Sequence, residues 1–160
     1  MKVEKASFDD INELRDLRLA YLNEDSGPLD EKDADMIRNT LPDYFRSHLN
    51  RDLFAYVVRS DGQIVSCAFL LVIEKPMSPA FINGMTATVL NVYTCPDFRH
   101  RGCARKIMQK LLTDAEEMKV SVIELKATAD GYPLYRSLGF ADNHGKYQQM
   151  EWKNPLFSNK

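Results

Sequence analysis

The apolar positions of the chain switch repeatedly between two periods. Residues 2–7 alternate weakly, and behind them Ile11, Leu14, Leu17 and Tyr21 recur at helical spacing, with Asp9 and Asp10 as candidate caps. A polar stretch containing Gly27-Pro28 breaks the pattern. Helical spacing resumes over residues 31–50, where Ile37, Leu41, Tyr44, Phe45 and Leu49 face inward. Pro42 lacks an N–H there, which predicts a kink or two short helices, the second starting near the proline. Residues 53–59 and 64–73 are rich in β-forming side chains, and Asp61-Gly62 between them predicts a tight hairpin. After a loop with Pro76 and Pro79, residues 85–94 alternate. Thr86, Thr88, Leu90 and Val92 share one face, and Ala87, Val89, Asn91 and Tyr93 the other.

The strongest period follows. Ala104, Ile107, Met108, Leu111, Leu112, Ala115 and Met118 lie on one helical face. Residues 122–127 then form a strand, parallel to 85–94 because a helical crossover joins the two. Residues 130–138 form a short helix with Pro133 in its first turn, and Gly139 stops it. Residues from 140 onward and 147–152 are expected to close the chain as an antiparallel pair. The order is β-α-α-β-β-β-α-β-α-β-β, without internal repeats.

The entrance to the long helix carries candidate chemistry. A strand and Pro96 lead into Arg99-His100-Arg101-Gly102-Cys103-Ala104-Arg105. The first amides of any helix lack intrahelical acceptors and carry partial positive charge, so phosphate oxygens can dock there without a metal. Gly102 permits close approach or positive φ. Ala104 is small, and Arg99, Arg101 and Arg105 add mobile charge. A cysteine in such a place has a lowered pKa, yet packing is the preferred reading of Cys103 over a nucleophilic one.

Two segments together resemble a known family. Arg99-x-x-Gly102-x-Ala104, after a strand and Pro96, is similar to the acetyl-CoA motif of the GNAT superfamily of N-acetyltransferases. Tyr135-Arg136-Ser137-Leu138-Gly139-Phe140, after a second strand, is similar to its other signature. Both stand in the family's order, across roughly the C-terminal half. The resemblance implies an α/β (α+β) GNAT fold over residues 1–160 as a single domain. Its central mixed, mostly antiparallel sheet would have six to seven strands, helices on both faces, and a splayed parallel strand pair binding acetyl-CoA.

The resemblance also implies roles residue by residue. Acetyl-CoA is the co-substrate, with no metal. Its pantetheine arm would pair with the backbone of Val92, Tyr93 and Thr94, and its pyrophosphate would rest on Arg99, His100, Arg101, Gly102, Cys103, Ala104 and Arg105. Thr128 stands where many relatives have an asparagine that bonds the arm. Tyr135 is the implied general acid, with Tyr132 three residues earlier as its competitor. Many relatives carry a glutamate where this chain has Asn91, which cannot abstract a proton but can orient a water that does. Glu24, Asp25 and Glu31 are alternative bases, more readily explained as surface charges, and no base is assigned.

The implied reaction is acetyl transfer to a primary amine of a small molecule by direct attack in a ternary complex. Acetylation of a protein lysine or N-terminus and non-catalytic sensing of acetyl-CoA against CoA are the alternatives. Family members are often homodimers through their C-terminal strands, and the sequence leaves that open. Bulk properties narrow the field further. The chain has 160 residues, 44% hydrophobic and 28% charged, with a formal net charge of -2, enough for one core and no polyanion track. Nucleic acid is therefore not an expected partner, and the pattern Gly-x-x-x-x-Gly-Lys-Ser/Thr of an ATP site is absent. No apolar stretch approaches a signal peptide or a membrane span, so a cytoplasmic protein without membrane association is expected. Cys67, Cys95 and Cys103 have no metal-ligand spacing and cannot all pair.

Overall fold

Residues 1–157 are described by a computed structural model, in which the hydrophobic periods become nine regular elements. They are β1 (Val3–Lys5), α1 (Ile11–Ser26), α2 (Glu31–His48), β2 (Leu53–Ser60), β3 (Gln63–Glu74), β4 (Met85–Thr94), α3 (Cys103–Glu117), β5 (Val122–Glu124) and α4 (Tyr132–Ser137). The chain divides into two compact units, Met1–Lys126 and a second beginning at Ala127. The sheet belongs to the first.

The helix starts differ in detail from expectation. Asp10 is the N-cap residue of α1 but makes no side-chain cap bond to it, and Ser7 opens the 3-10 turn that precedes it. Its hydroxyl accepts from the Asp9 amide at 3.3 Å, and the Asp10 carboxylate accepts from the Ser7 amide at 2.9 Å. This reciprocal cap holds a short 3-10 turn that feeds α1. α2 begins at Asp30, whose carboxylate accepts from the Lys32 amide, and it runs unbroken through Pro42. A proline inside a helix costs about 3 kcal/mol. Phe45 and Leu49, buried just beyond it, each recover roughly 1.5–3 kcal/mol by leaving water, so the last turn stays helical.

The sheet order is β1-β2-β3-β4-β5. All pairs are antiparallel except β4 with β5. Asp61 and Gly62 both have positive φ, 49° and 80°, as a two-residue turn matching strand twist requires. β2 therefore folds straight back on β3, with Ser60 opposite Gln63. One sheet face, carrying Leu53, Ala55, Val57, Cys67 and Phe69, packs on Leu14 and Leu17 of α1 and Phe45 of α2. Ile107, Met108 and Leu111 of α3 are fully buried over the opposite face, where the Tyr56 hydroxyl donates to Asp114 at 3.1 Å. Helices thus cover both faces.

Asp114 is a buried charge held by that side of the core. Lys110 and Lys5 reach it at 2.7 and 3.2 Å. Burial alone would raise its pKa, but the hydrogen bonds from Lys110, Lys5 and Tyr56 outweigh it and hold the carboxyl below its usual value. The same contact adds to burial in pushing the Tyr56 hydroxyl up.

Two expectations about strands need correction. The strict alternation of residues 85–94 fails at Asn91, because β3 advances two residues, Cys67 to Phe69, while β4 advances three, Tyr93 back to Leu90. The result is a β-bulge, with Asn91 at φ 55°. Leu90 and Tyr93 therefore share the face that strict alternation gave to Leu90 and Val92. The described sheet also has five strands, not six or seven, since residues 140–154 contain none. Tyr147, Met150 and Trp152 in that stretch are 82, 86 and 78% exposed. Without an apolar face to bury, an isolated strand pair lacks the term that would stabilise it. β5 is likewise shorter than expected and ends at Glu124.

Candidate functional site

Within the first unit, three features meet at the C-terminal end of β4. The first is its edge. β5 pairs with β4 only at Thr86, Thr88 and the residue between them, so the strand continues from Val89 to Thr94 beyond the parallel ladder. Backbone edges of this kind offer N–H and C=O groups to an extended ligand. Val92, Tyr93 and Thr94 lie on this extension, past the Asn91 bulge. Some of their acceptors are engaged already: the Tyr93 carbonyl accepts from the Ser66 hydroxyl at 3.1 Å and the Thr94 carbonyl from Arg99 at 2.9 Å.

The second feature is the turn. Cys95 and Pro96 end the strand, and a 3-10 turn over Pro96–Phe98 reverses the chain. His100 and Gly102 both have positive φ, 61° and 82°. A Cβ at Gly102 would meet no protein atom within 4 Å, so conformation, not crowding, is what requires glycine there. Gly102 caps α3 without any side-chain hydrogen bond. The first intrahelical bond runs from the Lys106 amide to the Gly102 carbonyl at 3.1 Å, which leaves the amides of Cys103 and Ala104 as donors without helical acceptors. Together with the macrodipole this makes a fitting seat for phosphate.

The side chains around the turn are less mobile than their sequence suggested. Arg99 donates to Glu24 at 2.7 Å, at the end of α1, and lies 5.6 Å from the Tyr93 ring centroid. Arg101 lies over Phe98 at 5.1 Å. Cys103 is buried, and its thiol donates to the Phe98 carbonyl at 3.8 Å. That contact favours packing over nucleophilic chemistry. Arg105 is exposed on the first turn of α3, Ala104 is partly covered, and His100 is exposed.

The third feature is the bulge itself. Asn91 is buried, its Oδ1 accepts from Arg18 at 3.3 Å, and its Nδ2 faces the Cys67 sulfur at 3.4 Å. The Cys67 thiol, which burial pushes up to about 12, donates in turn to the Asn91 carbonyl. The amide is thus spent on protein partners. Of the alternative bases, Glu24 pairs with Arg99, while Asp25 and Glu31 are exposed. Arg18 was not singled out by sequence, because its spacing on α1 is that of a half-covered helix position. Only the fold brings it to the bulge.

The second unit holds Thr128, Tyr132 and Tyr135. The Thr128 hydroxyl accepts from the Gly131 amide at 3.1 Å in the turn before α4, so one of its hydrogen-bonding capacities is used locally. Tyr132 is exposed and donates to Asp142 at 2.9 Å. That bond, with a smaller contribution from burial, raises its pKa. Tyr135 is buried, with its ring 6.0 Å from Phe140 in an edge-on contact. Gly131 abuts the same ring: a Cβ there would lie 2.9 Å from Tyr135 Cε2. Phe140 of the Leu-Gly-Phe segment and the backbone at Gly131 therefore both abut the tyrosine ring.

Among the described residues, no cluster of His, Cys, Asp or Glu could hold a metal ion, and no helix is long and apolar enough to cross a membrane. An open cleft lined by Arg51, Asp52, Phe54, Val72, Glu74, Met85 and Met118 lies at the opposite end of β4. It contains none of the residues expected at the acetyl-CoA site.

Comparison with known proteins supports the geometry. One solved structure, a predicted acetyltransferase with acetyl-CoA from Clostridium acetobutylicum, is 28% identical, aligns over 94% of this chain and 95% of its own, and gives a TM-score of 0.81. A GCN5-related N-acetyltransferase from Ralstonia eutropha JMP134, 23% identical with a TM-score of 0.78 over 93% of this chain and 97% of its own, shares the fold. An N-acetyltransferase of Porphyra purpurea, ycf52, itself uncharacterised, is 33% identical over 44% of this chain. That match spans only 40% of the relative's length. The model of the acetyltransferase (GNAT) family matches residues 11–140. The chain belongs to the GNAT acetyltransferase family.

Proposed function

We propose that the protein transfers the acetyl group of acetyl-CoA to a primary amine of a small molecule, by direct attack within a ternary complex, with residues 1–160 acting as one catalytic domain. The observation that carries this reading is the start of α3: Gly102 in left-handed conformation opens a helix whose first bond is made only at Lys106, directly beyond a β4 edge that outruns its parallel partner. In this reading the pyrophosphate accepts from the turn over Arg99 to Arg105, and the pantetheine arm runs back along Val92, Tyr93 and Thr94. Thr128 bonds the arm with the hydroxyl proton that its contact with the Gly131 amide leaves available. The acetyl-CoA-bearing relative from Clostridium supports the same co-substrate.

The amine nitrogen attacks the thioester carbonyl, the C–S bond breaks, and the departing sulfur takes a proton from the Tyr135 hydroxyl, whose ring α4 and Phe140 hold in place. The proton that the nitrogen sheds on becoming an amide passes to solvent, from which the tyrosinate is reprotonated. A thiol has a reference pKa near 8.5 and a tyrosine near 10, so that donation is close to balanced. The amine must arrive neutral, which for a lysine-type amine costs about 4–5 kcal/mol at pH 7. Asn91 supplies no base, and its buried contacts favour one other reading specifically: a non-catalytic domain that binds acetyl-CoA and CoA as a sensor.

Calorimetric titration with acetyl-CoA, with CoA and ATP in parallel, tests the donor site. Binding of acetyl-CoA without comparable ATP binding is expected, followed by thiol release on addition of an accepted amine. Folded protein that does not bind acetyl-CoA would sink the proposal. Binding without thiol release across a broad set of primary amines, peptide amines included, would favour the sensor.

A further inference from the structure

Arg18 is an arginine whose surroundings do not account for it. The other arginines of α1 and α2 each pair with a carboxylate on their own helix: Arg15 with Asp16 at 2.9 Å, Arg38 with Asp35 and Arg46 with Asp43, both at 2.6 Å. Among the described residues Arg18 has no ion-pair partner. Its contacts are one long hydrogen bond to Asn91 Oδ1 at 3.3 Å and the Tyr21 ring, 5.8 Å from the guanidinium carbon. Yet it is partly buried, where an unpaired cation is costly. The carboxylates nearby are taken or turned outward. Glu24 binds Arg99, Asp52 accepts from His48 at 2.8 Å, and Asp25 is exposed.

The position of this cation is specific. Asn91 is the bulge residue of β4, and the edge strand on which the arm of acetyl-CoA is proposed to lie begins immediately after it. With the pyrophosphate at the Gly102 turn, the thioester end of the arm points up the strand toward Asn91. Arg18 therefore sits where an acceptor would approach. Its charge also acts across to α2. Burial first and Asp52 next raise the Tyr44 hydroxyl, and Arg18 pulls it back down. Tyr21 feels burial, then Asp25, then the same opposing pull. The Arg18 guanidinium, with N–H donors unused among the described residues and the Tyr21 ring beside it, thus faces the β4 bulge from α1. A planar fork of donors fits a carboxylate or phosphate better than any neutral group.

We infer that Arg18 binds an anionic group on the acceptor, so that the substrate is a small primary amine that also carries a carboxylate or a phosphate. This rests on the transferase reading above. Arg18 acts as a specificity-determining residue: it holds the anion and so turns the amine toward the thioester carbonyl near Asn91.

The test uses the full chain and matched probes: β-alanine against β-alaninamide, and O-phosphoethanolamine against ethanolamine. Thiol release gives kcat/KM, corrected to the free-amine fraction, for wild type, Arg18→Gln and Arg18→Lys. Calorimetry on the CoA-saturated protein reads probe binding independently of turnover. A charge-assisted hydrogen-bonded contact predicts that wild type prefers the anionic member of at least one pair by about tenfold to a hundredfold. The pair preferred distinguishes carboxylate from phosphate. Arg18→Gln should abolish the preference and Arg18→Lys retain part of it, both binding acetyl-CoA as wild type does. A purely structural role for Arg18 would lower both members of a pair alike and leave their ratio unchanged. Equal treatment of both members by wild type, preference surviving in Arg18→Gln, or no anionic probe binding or reacting overturns the inference. If acetyl-CoA still binds and amines are still acetylated in those cases, the transferase reading stands. Failure of wild type to bind acetyl-CoA sinks both.

Discussion

Substitutions at Gly102 separate the two jobs assigned to this residue, backbone conformation and anion binding. A residue other than glycine at φ 82° costs about 1–2 kcal/mol in backbone strain. No steric cost adds to it, since a Cβ meets no protein atom within 4 Å. Gly102→Ala should therefore lower Tm by roughly 2–8 °C, at about 2–4 °C per kcal/mol for a chain of this size. Gly102→Glu bears the same strain, partly offset by about 0.3–1 kcal/mol from a negative charge at a helix N-terminus. It should be the more stable of the two variants. Binding should rank them in the opposite order. A carboxylate roughly 5 Å from a phosphate charge at an effective dielectric of about 20 costs about 3 kcal/mol, roughly a hundredfold in Kd. Thermal unfolding and calorimetric titration with acetyl-CoA on both variants read the two effects separately. Normal acetyl-CoA binding by folded Gly102→Glu refutes the placement of the pyrophosphate, and an equal loss in Gly102→Ala refutes the electrostatic argument.

Further outcomes follow from the neighbouring geometry. Tyr135→Phe should lower kcat by roughly a hundredfold, the usual scale for a positioned acid, with acetyl-CoA affinity retained; unchanged turnover in a chemistry-limited assay removes it from the mechanism. Gly131→Ala should also slow turnover while sparing acetyl-CoA affinity, because its Cβ would lie 2.9 Å from the Tyr135 ring and force it to move; stability measured by thermal melting separates this from unfolding. Asp114→Ala should cost about 1–3 kcal/mol by leaving the buried Tyr56 hydroxyl unpaired, since Lys5 and Lys110 are nearly half exposed and contribute little. Asp10 and Asp114 both titrate below their usual value in the fold. Their contribution is present above the unfolded pKa near 3.9 and is lost as pH falls through the lower folded value. Urea unfolding at pH 3 and pH 6 should accordingly show a smaller acid loss in Asp114→Ala than in wild type, and identical losses would refute the assignment.

Much of this protein is legible without coordinates, because local chemistry leaves few alternatives. Asp61-Gly62 specifies its own turn, the period of α3 specifies which face is buried, and the glycine before that helix specifies a left-handed residue. Each depends on neighbours within a few positions. The expectations that failed depend on partners far away in sequence. Asn91 reads as one more residue of an alternating strand, and only pairing with Cys67 and Phe69 of β3 makes it a bulge that shifts Tyr93 to the face of Leu90. Arg99 reads as mobile charge until Glu24, 75 residues away, takes its guanidinium. Pro42 reads as a break until the burial of Phe45 outweighs it. Residues 147–152 read as a strand because β propensity says nothing about whether a partner exists. The left-handed glycine turn ahead of α3 was thus determined by sequence, whereas the placing of Arg18 beside Asn91, 73 residues apart, was decided by tertiary structure, since no periodicity within a helix encodes which strand its polar edge will meet.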